Sequence, residues 1–263
     1  MMGQTLRVLR HGFPEHPAVD TAFSAAILEG VGSGSMGDTI RIYRPGRAVA
    51  FGRRDVHSAG YRSAVGAARA SGFEAVERLA GGRAAVFHEN TIAVSWARRA
   101  SEPRAGIESR FVEVAEVIRK ALRGMGFDAR VGQIPGEYCP GRHSVNAAGR
   151  VKLFGSGQRI VSGAVHVGGV LVVDGAEEVV RVLDPVYRHL DFTWHPEATG
   201  DLASIRPDVR YEDVVEALLQ SFASTYQLVE GILDDETVAR AEELSDRFLS
   251  PHSDVLGDPF PSR

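Results

Sequence analysis

Apolar residues recur at helical spacing in several parts of the chain. Five stretches carry this pattern and are predicted to be helices: residues 16–30, 61–72, 108–126, 211–226 and 234–250. Glycines at positions 30, 124 and 126 are expected to end the first and third of these helices. The third helix should bury one stripe of side chains: Phe111, Val114, Ala115, Ile118 and Leu122.

Shorter apolar runs, bounded by glycine, proline or polar turns, alternate with these helices and are predicted to be strands. They cover residues 39–44, 48–52, 73–79, 84–88, 91–97, 128–132, 150–161 and 163–174. Within the last run, residues 170–174 are almost all β-branched or leucine, which suits a strand that is buried on both faces. The glycine- and serine-rich residues 30–38 lack the ending of a phosphate loop and are predicted to be a connector.

The predicted strands cluster in the middle of the chain, and helices lie between them and at both ends. No repeat and no low-complexity linker divides the sequence. We therefore predict an α+β fold with a mixed, largely antiparallel β-sheet flanked by helices. A single domain should cover residues 1–263, with residues 211–250 forming a C-terminal helical segment and residues 251–263 a surface tail.

Composition narrows the class of protein. The net charge of -4 argues against a general nucleic-acid binder. The single cysteine, Cys139, excludes an internal disulfide framework and a cysteine-rich zinc site, and we expect no metal site. The N-terminus lacks the apolar core of a signal peptide, and no run of about 18 apolar residues is present. We therefore expect a cytoplasmic protein with no membrane span.

The first segment with possible chemistry is residues 77–96, "ERLAGGRAAVFHENTIAVSW". Gly81 and Gly82 remove two consecutive side chains, so a ligand could approach bare backbone N–H groups there. Arg78 and Arg83 flank the pair and could hold a carboxylate or a phosphate. Taken alone, the segment could equally be a hairpin with solvated arginines.

The second segment, "GEYCPGRHSVNAAGRVKLFGSGQR", brings Cys139, His143 and Lys152 close together in sequence. A thiol near several cations can act as a nucleophile. Taken alone, the cysteine could equally be a small buried apolar residue, Lys152 a strand-end lysine that reaches water, and His143 or His166 a structural hydrogen-bonding residue.

Together the two segments resemble the lipoate-protein ligase and octanoyltransferase family, a relative of the biotin protein ligases. "RLAGGRAAVFHENTIAVS" is similar to the family's first signature, and "GRVKLFGSGQR" to its second, lysine-containing signature. Some positions depart from the family pattern. Glu77 and Ala80 replace an arginine and a Ser/Thr, and Gly168-Gly169 replaces a His-Gly, with His166 two residues earlier.

The resemblance implies a biotin/lipoyl protein ligase-like catalytic domain, of the class II synthetase-like type, that attaches an octanoyl or lipoyl group to a lysine. The acceptor would be a lipoyl domain or the glycine cleavage H protein. It implies Lys152 and Cys139 as catalytic residues, with Lys152 supplying positive charge at the acyl head. It also implies a set of substrate-binding residues: Arg78, Gly81, Gly82, Arg83, His88, Gly155, Ser156 and Gln158.

Two mechanisms are compatible with this resemblance. An octanoyltransferase would take the acyl group from acyl carrier protein through a Cys139 thioester and would need no cofactor. A ligase would activate free lipoate with ATP and Mg²⁺ as an acyl-adenylate. The position of Cys139, five residues before Ser144, and the Gly-Gly-Arg spelling favour the transferase. A non-catalytic protein that binds lipoate or lipoyl domains is a further alternative, and a biotin ligase is a weaker one.

Overall fold

The computed structural model describes residues 4–251, and an eight-stranded sheet forms its centre. Its strand order is β11-β1-β2-β6-β10-β9-β8-β7. The strands are β1 (Thr5–Leu9), β2 (Thr39–Tyr43), β6 (Thr91–Arg99), β7 (Ala129–Val131), β8 (Val145–Ala147), β9 (Val151–Val161), β10 (Ala164–Val172) and β11 (Gln227–Glu230). β1 pairs in parallel with β2 and β11, and the remaining pairs are antiparallel. The predicted mixed, largely antiparallel sheet is confirmed.

A second sheet of three strands lies beside the main one. Its central strand β3 (Ala48–Phe51) pairs in parallel with β4 (Glu74–Glu77) and antiparallel with β5 (Ala85–Phe87). All four residues of β3 are buried, because the side chains of this short apolar run have neighbours on both faces.

Seven α-helices surround the two sheets within residues 4–251: α1 (Pro17–Ser33), α2 (Arg53–Val56), α3 (Tyr61–Ala70), α4 (Ile107–Gly124), α5 (Ala176–His189), α6 (Tyr211–Ala223) and α7 (Asp235–Ser245). Helices α4 and α6 pack with the main sheet in one apolar core, whereas α3 and α5 pack with the small sheet in another. Helix α1 contributes to a third core together with α7. No helix of the described chain is long and apolar enough to cross a membrane.

The structure corrects several details of the predicted elements. Helix α1 continues past Gly30 to Ser33, because Val31 is fully buried and Gly34, in the left-handed conformation, ends the helix instead. Residues 211–250 are not purely helical, since β11 lies between α6 and α7 and joins the main sheet beside β1. Strands β1, β8 and β11 and helices α2 and α5 were not predicted. Most of the predicted surface tail, residues 252–263, lies outside the described residues.

The last described residues pack against the small sheet. The backbone N–H of Ser250 donates to the carbonyl oxygen of Ala75 (3.0 Å), and the Tyr61 hydroxyl donates to Ser250 Oγ (2.9 Å). Phe248, just before them, is buried in the α1 core. The C-terminal part of the described chain therefore supports β4, which leads directly into the segment beginning at Arg78.

Candidate active site

Cys139 lies in the connection between β7 and β8, residues 132–144, here called the cysteine loop. The ends of this loop meet, because Gly132 N donates to the Ser144 carbonyl oxygen (2.8 Å). Cys139 has a φ of 40°, which is uncommon for a residue with a side chain. Its backbone N–H donates to the hydroxyl of the buried Tyr187 (3.0 Å), which donates in turn to the Ala84 carbonyl oxygen (2.7 Å). These contacts hold the cysteine in an unusual backbone conformation.

The Cys139 sulfur faces hydrogen-bond donors from residues 78–83 of the β4–β5 connection, here called the glycine loop. The backbone N–H of Arg83 donates to Sγ at 3.1 Å, and the Arg78 guanidinium lies 3.8 Å from the same atom. The thiol is partly exposed. A backbone N–H and a cation aimed at sulfur stabilise it when it carries negative charge, which is the form that acts as a nucleophile.

Gly82 allows this close approach of the two loops. Its φ of 124° is accessible to glycine but strained for other residues. A Cβ atom at this position would lie 3.0 Å from Cys139 Sγ and 2.9 Å from an Arg78 nitrogen. The absence of a side chain at Gly82, which the sequence linked to ligand approach, thus also makes room for the thiol, whereas a Cβ at Gly81 would meet open space.

Lys152 lies beneath the cysteine loop. Its ammonium donates to Glu137 Oε1 (3.2 Å) and to the carbonyl oxygens of Tyr138 (2.9 Å) and Cys139 (2.8 Å). The side chain is only 1% exposed and lines neither of the two cavities described below. Gly155 makes room for it, since a Cβ there would lie 2.8 Å from Lys152 Cε. The ammonium therefore contacts the backbone that carries the cysteine rather than open space at the acyl head.

A narrow cavity lies between the main sheet and the layer formed by α1 and the small sheet. It contains about 620 Å³ of empty space, open mouth included. Its walls are mostly small or apolar residues: Ala48, Ala50, Val76, Leu79, Ala80, Phe87, Ala93 and Val94. Arg78 also lines it. The Arg78 side chain thus connects this cavity with the Cys139 sulfur.

The register of the main sheet explains the space for this cavity. Arg41 on β2, Ser95 on β6, Gly168 on β10 and Gly157 on β9 are successive partners across four strands. Directly opposed residues project to the same face of a sheet. Three of the four side chains are small or absent, and the two inner positions, Ser95 and Gly168, line the narrow cavity. The glycine loop covers its end at Gly157, where a Cβ would lie 2.4 Å from the Gly81 carbonyl oxygen.

Buried polar side chains also line the narrow cavity, among them His166 and Asp20. His166 Nε2 is 2.9 Å from Ser95 Oγ, and its imidazole occupies the space above Gly168, where a Cβ would lie 2.4 Å from Cε1. Burial, reinforced by the Arg78 charge, lowers the pKa of His166 to about 3, so the ring is neutral at pH 7. Asp20 forms a buried ion pair with Arg41, and burial raises the pKa of its carboxyl.

A wide cleft lies on the other side of the glycine loop and holds about 2100 Å³ of empty space, including the solvent above it. Its lining includes Cys139, residues 81–83 of the glycine loop and three predicted substrate-binding residues of β9, namely Gly155, Ser156 and Gln158. Four arginines, Arg53, Arg54, Arg83 and Arg142, share this lining with a single carboxylate, that of Glu108. The cleft is therefore positively charged in a protein whose net charge is -4.

One predicted site residue lies apart from the others. His88 is buried at the β5–β6 turn, where its Nδ1 accepts from Asn90 N (3.2 Å), and it lines neither cavity. Gln158 lines the cleft, and its amide also donates to the Ile107 carbonyl oxygen (2.7 Å) at the start of α4. The structure therefore brings together Cys139, Lys152 and every predicted binding residue except His88.

Sequence reasoning missed Glu137, the buried carboxylate that contacts Lys152 at the centre of the cysteine loop. It also missed Tyr187, which fixes the Cys139 backbone from helix α5. Glu137 lies two residues before Cys139, but a lone acidic residue has no periodic or motif signal of its own.

Comparison with known proteins adds independent information. A model of the family described as "Lipoyl protein ligase A/B catalytic domain" matches residues 16–223. Two curated relatives are both named octanoyl-[GcvH]:protein N-octanoyltransferase. The relative from Bacillus velezensis is 24% identical, covering 89% of this chain and 81% of its own. The relative from Anoxybacillus flavithermus is 26% identical, covering 91% of this chain and 90% of its own.

Solved structures share the fold. Lipoate-protein ligase A bound with ATP superposes with a TM-score of 0.75 at 22% identity, over 94% of this chain and 95% of that chain. The T. acidophilum protein Ta0514 with bound lipoic acid superposes with a TM-score of 0.73 at 22% identity, over 94% and 96% of the two chains. The expected lipoyl ligase-type fold is confirmed.

Proposed function

The chain belongs to the lipoyl protein ligase A/B catalytic domain family, and we propose that it is an octanoyltransferase acting through a Cys139 thioester. It would move an octanoyl group from a carrier protein to the acceptor lysine of a lipoyl domain. The observation that carries this proposal is the position of the Cys139 sulfur. It faces the Arg83 N–H and the Arg78 guanidinium, and Arg78 also lines the narrow apolar cavity.

The narrow cavity supports an acyl substrate of medium length. An extended eight-carbon chain measures roughly 9 Å, at about 1.3 Å of advance per C–C bond. Tyr43 on β2, Ser95 on β6 and Gly168 on β10 line the narrow cavity, which therefore covers two strand spacings of the main sheet, or about 10 Å. An octanoyl chain that enters beside the glycine loop would match this dimension and would be shielded from water by α1 and the small sheet.

The transfer would proceed in two balanced steps. The Cys139 sulfur attacks the carbonyl carbon of the donor's octanoyl group, the bond to the donor breaks, and the donor's lysine amine or thiol leaves with the thiol proton. The acceptor lysine amine then attacks the thioester, forming an amide and restoring the thiol. Both steps develop negative charge, which the Arg83 N–H and the Arg78 guanidinium would stabilise.

The wide cleft is suited to bind both the donor protein and the acceptor protein of this reaction. It is large, open and lined by arginines, so it suits an acidic protein surface that presents a long acyl-bearing side chain. The names of the two curated relatives give octanoyl-[GcvH] as donor, and the resemblance of the sequence also allows acyl carrier protein. We propose the H protein as donor and a lipoyl domain as acceptor.

The same arginines could also bind the phosphates of ATP. An ATP-dependent ligase reaction is therefore the second candidate function that the assay must test. If ATP binds, Arg54, Arg83 and Arg142 would be the residues to hold its phosphates. An acyl-adenylate would supply activated carboxyl chemistry without any need for a thiol.

The test is acylation of an apo lipoyl domain, followed by intact mass. Octanoyl-H protein and octanoyl-carrier protein serve as parallel donors without ATP, and free lipoate with ATP and Mg²⁺ forms the third arm. We expect octanoyl transfer without ATP and a hydroxylamine-sensitive mass increase of one octanoyl group on the enzyme. Because Cys139 is the single cysteine, this adduct identifies its own site.

The Cys139→Ser variant decides between the mechanisms. We expect it to lose octanoyl transfer by at least about 1000-fold while retaining its fold, because a serine hydroxyl is a far weaker nucleophile without an adjacent base. Lipoate attachment that requires ATP and survives Cys139→Ser would overturn the proposal in favour of the ligase. No acylated product in any of the three arms would favour a non-catalytic binding protein.

A further inference from the structure

We propose that Glu137 is a positioning residue that holds Cys139 in its reactive geometry, acting through Lys152 and the backbone of the cysteine loop. The proposal rests on the function of Cys139 as the nucleophile. Neither the sequence motifs nor the comparisons give Glu137 a role, and here it acts together with Lys152.

Glu137 forms the polar centre of the cysteine loop. Its side chain is fully buried. Oε2 accepts from Ile134 N (2.9 Å), before the cysteine, whereas Oε1 accepts from Gly141 N (2.9 Å) and Ser144 Oγ (2.6 Å), after it. One carboxylate thus connects both arms of the loop around Cys139.

Lys152 contributes the matching positive charge from β9. An ammonium has three hydrogens and no lone pair. Its contacts to Glu137 Oε1 and to the Tyr138 and Cys139 carbonyl oxygens supply one acceptor for each of the three hydrogens. In this arrangement Lys152 cannot accept the thiol proton. It fixes the peptide units on both sides of residue 139, and Glu137 compensates its buried charge.

This geometry connects Glu137 with the chemistry at sulfur. The backbone at Cys139 is in the left-handed region, so its conformation must be maintained by surrounding contacts. The Lys152 contact to the Cys139 carbonyl and the Tyr187 contact to the Cys139 N–H hold the two sides of this residue. If Glu137 loses its charge, Lys152 is left unpaired in a buried site, and the loop must shift to solvate it. Sγ then moves away from Arg83 N.

A purely structural role would predict something different. If Glu137 only stabilised the loop, a folded variant would keep the reactivity of Cys139. If Glu137 positions the sulfur, a folded variant loses reactivity even toward a small reagent that needs no binding site.

The experiment measures alkylation of Cys139 by iodoacetamide, with no acyl substrate present, in wild type and Glu137→Gln. We expect the rate in the folded variant to fall about 10-fold, and equal rates for both proteins in denaturant. With octanoyl donor, we expect kcat to fall about 100-fold, as for a reacting group displaced by about 1 Å, with KM changed less than 3-fold. Glu116→Gln, which removes the carboxylate of a partly exposed ion pair on α4, is the matched control and should behave as wild type.

A second variant covers the case in which Glu137→Gln does not fold. The double variant Glu137→Gln/Lys152→Met removes both buried charges and should fold, yet it should show the same loss of alkylation rate. Wild-type alkylation in either folded variant would overturn the inference. A wild-type protein that alkylates readily but forms no octanoyl adduct would instead contradict the proposed function, so the two failures are distinguishable.

Discussion

The narrow cavity and the wide cleft lie on opposite sides of the glycine loop and are built in different ways. The narrow cavity is formed by strand and helix residues whose spacing is fixed by sheet register, and its walls are mostly small or apolar. The wide cleft combines residues of the glycine loop and the cysteine loop with residues of α2, α4 and β9, and its side chains are mostly polar or charged. Sheet register suits selection of an acyl chain by length, whereas loops suit docking of a protein and movement of a nucleophile.

The two regions share the glycine loop, so substitutions on either side should affect different steps. A change in the cavity should reduce acyl binding and leave the intrinsic reactivity of the thiol unchanged. A change in the glycine loop itself should affect both acyl binding and the reactivity of the thiol.

Gly82→Ala should have the largest effect, because it changes the glycine loop, which the two regions share. The new Cβ would lie 3.0 Å from Sγ, on a backbone with a φ of 124°. We expect both iodoacetamide alkylation and octanoyl transfer to fall, with kcat lower by about 100-fold. Gly66→Ala is the control, since α3 has open space there and alanine favours the helix. Wild-type kinetics in Gly82→Ala would show that the thiol and the glycine loop are not coupled.

His166 should make the stability of the cavity wall depend on pH. Its folded pKa of about 3 lies below the unfolded value of about 6.5, so the unfolded chain binds the proton first as pH falls. The neutral ring therefore contributes stability above pH 6.5 that is lost progressively toward pH 3. Between pH 7 and pH 5 this loss amounts to about 2 kcal/mol.

His166→Gln removes this titration. We expect the free energy of unfolding of the variant, measured by urea denaturation, to depend less on pH between 7 and 5 than that of wild type. Equal slopes in the two proteins would contradict the burial of a neutral imidazole in the cavity wall.

Gly168→Ala should affect the cavity without affecting the thiol. The added Cβ competes for space with the His166 ring, which would have to move into the cavity. We expect octanoyl transfer to fall about 10-fold, with shorter acyl donors affected less, because filling a pocket by one methyl group typically costs 1–3 kcal/mol. Iodoacetamide alkylation of Cys139 should stay at the wild-type rate. A parallel loss of alkylation would show that the two regions are not separable.

Arg54→Glu should have the smallest effect, confined to the wide cleft. Reversing an exposed charge in a basic lining weakens the encounter with an acidic protein, so we expect KM for the acceptor to rise about 4-fold. The difference should shrink at high ionic strength. Arg123→Glu, on the exposed part of α4 away from both cavities, is the control with the same charge change. An unchanged KM at low salt would exclude Arg54 from the docking surface.

The sequence predicted most of the fold because its apolar spacing is regular wherever one face of an element is buried. Helix α5 was missed although Val179, Val182 and Val186 are buried at helical spacing, because Pro185 lies inside the helix and proline usually ends one. Strands β8 and β11 are three and four residues long and give no alternation to detect. Their place depends on neighbouring strands that are distant in sequence.

Within the site, the sequence signatures identified residues but not all of their contacts. Cys139 and Lys152 were both predicted, yet the ammonium contacts the carbonyl of residue 139 rather than an open acyl site. That arrangement depends on the closure of the cysteine loop over β9, which no local pattern encodes. His88 lies apart from the other predicted binding residues, because its ring accepts a hydrogen bond within the β5–β6 turn.

The packing of Ser250 against Ala75 has a consequence for when the site can fold during synthesis. β4 leads into the glycine loop, and its outer side is completed by residues that leave the ribosome about 170 positions later. A nascent chain that already contains Cys139 and Lys152 therefore still lacks part of the support for Arg78. The surroundings that we propose for the nucleophile should therefore be completed late, once Leu249 and Ser250 have joined β4.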